Sequence, residues 1–253
     1  MQTVDKAVEL LGFFSERQPE FGLSDLARTA GFDKASTRRL LLALIKHDYI
    51  EQDCDSKAYR LGPGVLRLAR VRETSLPLTS ITTPLLEELA LLTGESAHFS
   101  LLAGGRISTI EAVESTRSSR INFVLGEEGS LHATASGIVC LAYSAEDFVK
   151  EVLKDDLPAY TQHTITDKNK FTTMLKSVRE RGYYINREQY ELDVCSVAAP
   201  VFDHNFQAIG ALAVAAPGSR FGRDAQQQIR NAVTSAASKA SVALGCEPSR
   251  REK

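Results

Sequence analysis

Two short stretches of the 253-residue chain carry residue types at spacings that can do chemistry. The first is Lys34 to Arg39, where Ser36 and Thr37 sit among Lys34, Arg38 and Arg39. Short hydroxyls and long cations of this kind reach phosphate oxygens and the acceptor edge of guanine. The second stretch is Gly129 to Gly137, which leads into an apolar run. Small residues there let backbone approach a bound group, and Thr134 and Ser136 add hydroxyls. A helix opening at Ala135 would present free N–H groups to an anion. Simple capping of a buried helix explains the same residues, so this segment alone leaves both readings open. Asn186 and, across residues 187–194, Cys195 and Ser196 form a second candidate wall, at strand ends where ligand groups tend to lie.

Motifs for catalysis are scarce. The chain has no Gly-x-Ser-x-Gly elbow, no P-loop, no Gly-x-Gly-x-x-Gly and no His-Glu-x-x-His. An enzyme using Cys195 or Ser196 as nucleophile, with an accessory amino-terminal helical module, is the rival reading; it lacks a base at a recognisable spacing. The five histidines are scattered, and only His98 and His132 flank the candidate pocket segments. Cys54, Cys140, Cys195 and Cys246 lie far apart with no Cys-x-x-Cys pair, which argues against a disulfide scaffold or a zinc knuckle. No catalytic residue, metal or cofactor is expected.

The elements that must position these residues follow from periodicity. Val4, Ala7, Val8, Leu11 and Phe14 predict a helix over 3–15. Ser24 stands as the cap of a short second helix that Gly31 ends. Asp33 can cap a third, with Leu40, Leu41, Leu44 and Ile45 as its stripe. Residues 49–52 and 58–61 read as a hairpin carrying Lys57 and Arg60. Helix, helix, tight turn, helix and hairpin is the order of a winged helix-turn-helix, whose third helix enters the DNA major groove. A further helix runs from Pro63 to about Thr74, and the stretch 75–80 breaks it before another resumes over 84–93. Beyond Ser96, strands are expected at 97–103, 107–113, 121–125, 183–186, 196–202 and 208–215. Helices are expected near 135–145, 146–153, 168–181 and 223–244, the last with Ile229, Ala232, Val233, Ala236, Ala240 and Ala243 inward. The fold class is therefore a mainly α winged helix-turn-helix domain (1–62), a linker helix (63–75) and an α+β domain (76–248) around a central, mainly antiparallel sheet. Residues 248–253 read as a frayed tail.

Composition sets the outer limits. With 43% hydrophobic and 25% charged residues the chain can build cores, and no apolar run is long enough to span a membrane. It reads as a cytoplasmic chain with reduced thiols. Net charge is only −2, yet residues 33–72 hold 9 basic against 5 acidic side chains. A basic segment on a mildly acidic body suggests that one end meets a polyanion. Charge alone would also describe a solvated helix face; the winged-helix order favours DNA.

Taken in order, Val4–Leu11, Leu23–Arg28, Asp33–Leu41 and Tyr59–Gly62, then Leu92–Ser96, Leu131–Gly137, Ala198–Asp203 and Gly210–Val214, resemble the IclR family of bacterial transcriptional regulators over nearly the whole chain. The resemblance implies a winged-helix DNA-binding domain, a linker helix and a GAF-like effector domain in a homodimer or homotetramer. Such a protein represses or activates operons on binding a small organic acid. It implies that Lys34, Ser36, Arg38 and Arg39 face DNA and that Ala135 and Ser136 supply backbone donors to an effector carboxylate. Asn186 and Ser196 would then be polar contacts on the opposite wall, with Ala213 and Ala215 lining the pocket. This chain has Asn186 where the family commonly has an acid. It also has alanines at 213 and 215 where some members that bind small acids have hydroxyls, which favours a larger or more apolar acid.

Overall fold

The computed structural model describes residues 3–15, 17–75 and 77–246, so the tail expected over 248–253 lies outside the described residues. The chain divides into two compact units after Pro77.

In the first unit, α1 (Thr3–Leu11), α2 (Leu23–Ala30) and α3 (Lys34–Lys46) pack around Leu10, Leu26, Leu40, Leu41 and Leu44. A small sheet of order β1-β3-β2 follows from β1 (Glu20–Phe21), β2 (Ile50–Gln52) and β3 (Tyr59–Leu61). Gly31 ends α2 at φ 67°, a left-handed position that glycine adopts without strain. Asp33 then caps α3, its Oδ1 accepting from Ser36 N at 2.8 Å.

Three local expectations change here. Helix α1 stops at Leu11 rather than residue 15, because Gly12 follows. Its buried side chain is Leu10, while Val4 and Val8 are exposed. Helix α2 begins two residues earlier than a cap at Ser24 implied, with Gly22 as the cap residue. Strand β1 was hidden by the Pro19 break and pairs antiparallel with β3.

Helix α4 (Pro63–Ser75), the last helix of this unit, has a tightly held start. Gly62 N donates to Tyr49 O at 2.9 Å and Gly64 N to Asp48 O at 2.8 Å. A Cβ on Gly62 would lie 2.3 Å from Asp48 O, so the close approach of the two backbones requires glycine.

The second unit is a six-stranded antiparallel sheet of order β6-β5-β4-β9-β8-β7. Its strands are β4 (Ser96–Ala103), β5 (Arg106–Val113), β6 (Glu128–Gly129), β7 (Tyr184–Arg187), β8 (Val194–Phe202) and β9 (Ala208–Pro217). Helices α5 (Leu78–Thr93) and α9 (Arg223–Ala243) pack together against the sheet. On the other face lie α6 (Ala135–Ala142) and α8 (Lys168–Arg181), with α7 (Glu146–Val152) beside them. Among the described residues, no helix is long and apolar enough to cross a membrane.

Helix α5 starts at Leu78 and runs through Pro84, where the sequence predicted a start at residue 84. Proline removes one donor, but Leu78, Thr82, Leu86 and Leu89 are all buried and hold the turn in place. Thr82 Oγ1 lies 2.5 Å from Glu111 Oε2, and Thr83 contacts the same carboxylate. Residues 121–125 form no strand; β6 pairs with β5 at Ile107 and Ser108 instead. In α9, Ala237 and Ser241 are buried where Ala232 and Ala243 were expected, a rotation of the inward stripe.

Candidate nucleic-acid interface and ligand site

The buried face of α3 is made by Thr37, Leu40, Leu41 and Leu44. At about 100° per residue, the direction opposite them is occupied by Ala35, Arg39, Leu42 and Lys46. Lys34 and Arg38 lie one turn apart on one flank, and the half-buried Ser36 lies on the other. Lys34, Arg38, Arg39 and Lys46 are exposed, and none is ion-paired among the described residues. Asp33, the acid nearest this face, is held below its ordinary pKa by the Ser36 backbone N–H, so its negative charge is turned into the helix start.

Thr37 does not belong to this surface. It is 0% exposed, and its Oγ1 donates to Asp33 O at 2.9 Å, so the hydroxyl is committed to its own helix. Arg60 is exposed but engaged by acids across the small sheet, with Nε 2.5 Å from Glu51 Oε1 and Nη1 3.4 Å from Glu20 Oε1. It brings little net charge to the wing. Lys57, at φ 59°, folds Nζ back onto Cys54 O at 2.7 Å. Lys46 was absent from the predicted set, although its position seven residues after Arg39 marks the same helix face.

In the second unit, strand register decides which predicted residues meet. Asn186 pairs with Ser196, Ser196 with Ala215, and Ala215 with Ser96; Ala213 pairs with Ala198 and with His98. Directly paired residues share a sheet face, as do those two apart, so Asn186, Ser196, Ala213, Ala215 and His98 all point toward α6. Cys195 pairs with Arg187 and Ala216 and faces the opposite layer. The expectation that Cys195 contacts a ligand beside Ser196 is therefore corrected by one residue of alternation. Burial also pushes its thiol pKa up, the reverse of what a nucleophile needs.

Helix α6 starts against that face. Thr134 Oγ1 donates to Ser130 O at 2.7 Å and accepts from Gly137 N at 3.0 Å, so Thr134 is the cap and its hydroxyl is occupied. Gly137 is obligatory, since a Cβ there would fall 2.4 Å from Ser130 O. The N–H groups of Ala135 and Ser136 make no backbone hydrogen bond, as the first turn of a helix requires. Asn186 is not available as a ligand contact. Its Nδ2 donates to Ala133 O at 2.6 Å and its Oδ1 accepts from Gln189 N at 3.0 Å, which locks the 130–134 loop to β7. Ser196 Oγ is half-buried and makes no hydrogen bond among the described residues.

The histidines separate cleanly. His132 is tied at both ring nitrogens, to Ser130 Oγ at 3.0 Å and Pro158 O at 2.9 Å, and serves the loop. His98 Nε2 lies 3.3 Å from Ser136 Oγ, and its Nδ1 is buried with no hydrogen-bond partner among the described residues. Burial drives its pKa down to about 4, so the ring is neutral. Phe123 covers it with ring centroids 4.1 Å apart. Sequence reasoning noted His98 but had no signal for Phe123. A separate groove of about 550 Å³ runs along α8, with Met174 and Val178 between Lys170 and Arg181; none of the predicted residues lines it.

Comparison with known proteins matches this arrangement in both halves. The family model described as the IclR helix-turn-helix domain matches residues 3–53, and that of the bacterial transcriptional regulator IclR C-terminal domain matches residues 73–242. The HTH-type transcriptional regulator XynR of Escherichia coli is 28% identical over 97% of this chain and 98% of its own. A solved IclR transcriptional regulator from Silicibacter sp. TM1040 is 38% identical, with a TM-score of 0.89 and 98% of each chain covered. An IclR homologue from Microbacterium hydrocarbonoxydans, solved with 4-hydroxybenzoate, shares the fold at 20% identity and a TM-score of 0.81, covering 95% of this chain and 100% of its own. These relatives are regulators rather than enzymes, which leaves the nucleophile reading of Cys195 or Ser196 without support. From the α3 surface through the α6 start to the closing helix α9, the chain belongs to the IclR family of bacterial DNA-binding transcriptional regulators.

Proposed function

We propose that this regulator binds its operator through Lys34, Arg38, Arg39 and Lys46 on α3, with Ser36 at the flank and Lys57 on the wing, and that a small organic acid bound in residues 76–248 modulates that affinity. In this reading residues 1–62 are the DNA-binding domain and 63–75 the linker helix that transmits the change. The assembly is a homodimer or homotetramer, because operators of helix-turn-helix proteins are read as paired half-sites. The acid's carboxylate accepts from the N–H groups of Ala135 and Ser136, with Ser196, Ala213 and Ala215 as the facing wall. One observation carries the ligand site: two unbonded first-turn N–H groups open onto a sheet face that also holds an unbonded Ser196 hydroxyl. A helix N-terminus stabilises an anion through its dipole and free donors. Two alanines in the wall favour an acid with apolar bulk, and the 4-hydroxybenzoate held by the Microbacterium relative is of that kind.

The test is a thermal-shift screen of carboxylic and aromatic acids, followed by gel retardation of the protein's own upstream DNA with each acid that binds. Ser136→Leu, its unfolding temperature checked alongside, is expected to retain DNA binding and lose the response to the acid. A normal ligand-induced change in that variant refutes the assignment.

A further inference from the structure

Residues 121–125 cross the α6 side of the sheet with almost no hydrogen bonding of their own. Of these five, only Val124 joins a backbone hydrogen bond among the described residues, its oxygen accepting from Glu127 N at 3.2 Å. The segment is pinned firmly at both ends instead. On one side Arg120 Nε is 2.9 Å from Glu114 Oε2, and Arg220 Nη2 donates to Ser119 O at 2.8 Å. Arg220 and Arg117 in turn converge on Glu95, a carboxylate whose side chain is only 5% exposed. On the other side Gly126 N donates to Thr109 O at 2.7 Å. The result is a strap, tied at its ends and loose between them, whose middle residue Phe123 lies over His98.

Beneath that ring is the one buried side-chain nitrogen or oxygen without a hydrogen bond among the described residues, His98 Nδ1. A buried polar atom without a hydrogen bond in a well-packed structure calls for an explanation. The other ring nitrogen already contacts Ser136 Oγ at 3.3 Å, and the N–H of Ser136 is one of the two free donors at the α6 start. His98 thus stands beside the seat assigned above to the carboxylate.

We propose that the 121–125 strap is the removable cover of the effector site, and that His98 Nδ1 recognises a hydroxyl next to the effector's carboxylate, with the effector's apolar body taking the place of Phe123. This rests on the effector reading above and deepens it to a class of ligand, the hydroxylated acids with an aromatic or similarly flat apolar body. The hydroxyl follows from tautomer chemistry. If Nε2–H donates to Ser136 Oγ, then Nδ1 is an acceptor; if Ser136 donates, Nδ1–H is a donor. A hydroxyl pairs with either form. A second carboxylate oxygen pairs with only one.

The experiment uses the full chain and diethyl pyrocarbonate, which acylates neutral imidazole nitrogen, with each histidine followed by peptide mass mapping. His98 is expected to label slowly in the native protein and roughly tenfold or more faster in Phe123→Ala, as a local cover is removed. His132, tied at both nitrogens, is the internal control, because general unfolding would release it at the same rate. The probes are salicylate against benzoate and mandelate against phenylacetate. In at least one pair the hydroxy acid is expected to protect His98 at about fivefold or more lower concentration, the size of effect that one hydrogen bond gives. An unchanged His98 rate in Phe123→Ala overturns the cover, and equal or absent protection within both pairs overturns the hydroxyl contact. The regulatory reading fails separately: it falls if acids that protect His98 leave DNA retention unchanged.

Discussion

Replacing Arg39 by alanine removes an unpaired guanidinium from the centre of the outward face of α3, while Thr37→Val two residues earlier changes only a buried hydroxyl. The two variants separate surface chemistry from residue type. A cation that neutralises a phosphate releases about one counterion, so losing it lowers the slope of log K against log salt by about 0.9 for each contact. Between about 50 and 200 mM salt that slope change is roughly half a log unit, readable by anisotropy or gel retardation. If Arg39 forks a guanine instead, the loss is about 1–3 kcal/mol in affinity, with relaxed preference at that base pair. Thr37→Val removes one hydrogen bond to Asp33 O and is expected to cost about 1 kcal/mol of stability with the salt slope intact. Fragments of the upstream DNA titrated at several salt concentrations supply the measurement. The reasoning is refuted if Arg39→Ala keeps both affinity and slope, or if Thr37→Val alters the slope as much as Arg39→Ala does.

Gly62→Ala places a Cβ against the Asp48 carbonyl, a backbone atom that cannot rotate away, and is expected to destabilise the first unit by about 1–3 kcal/mol in denaturant melts. A loss under about 0.5 kcal/mol there would mean that the start of α4 yields easily. His98 has a folded pKa of about 4 against about 6.5 when unfolded, both quoted for the imidazolium. Between those values the unfolded chain binds the proton and the folded chain does not, so stability is full above about pH 6.5 and is lost as pH falls toward 4. The linkage amounts to about 3 kcal/mol at its limit, and His98→Gln is expected to flatten that part of the pH–stability curve. Thiol titration of the folded protein is expected to find Cys54 fast, because it is exposed. Cys140, Cys195 and Cys246 are buried, and burial also lifts the Cys140 pKa to about 12. Rapid reaction at Cys195 would revive its candidacy as a nucleophile.

The winged helix-turn-helix was legible because its signals are local. Gly31, Asp33 and the stripe Leu40, Leu41 and Leu44 each act within one turn, and the structure uses all of them as their chemistry suggests. Strand β1 was missed because two residues beside a proline show no alternation, and only pairing with β3 defines them. Pro84 misled for a related reason: a proline breaks an isolated helix, but a helix held by buried neighbours on both sides of it loses one donor and continues.

Thr37 and Cys195 depart from expectation in the direction they face. Thr37 stands three and four residues before Leu40 and Leu41, so the stripe already placed it inward, and its hydroxyl alone made it look like a DNA contact. On β8 the run Val194–Phe202 is apolar on both faces, because helices cover the sheet on both sides, and hydrophobicity then carries no phase. Only the register with Asn186 and Ala215 tells Ser196 from Cys195. Asn186 shows the converse limit. Its amide was expected as a ligand contact, but both of its ends hold the loop that presents Ala135 and Ser136. An acid at that position would set a carboxylate against the Ala133 carbonyl, acceptor facing acceptor, unless it kept a proton. In this chain asparagine therefore fixes the α6 start by a neutral donor, and in the function proposed above recognition of an anion falls to the backbone it positions.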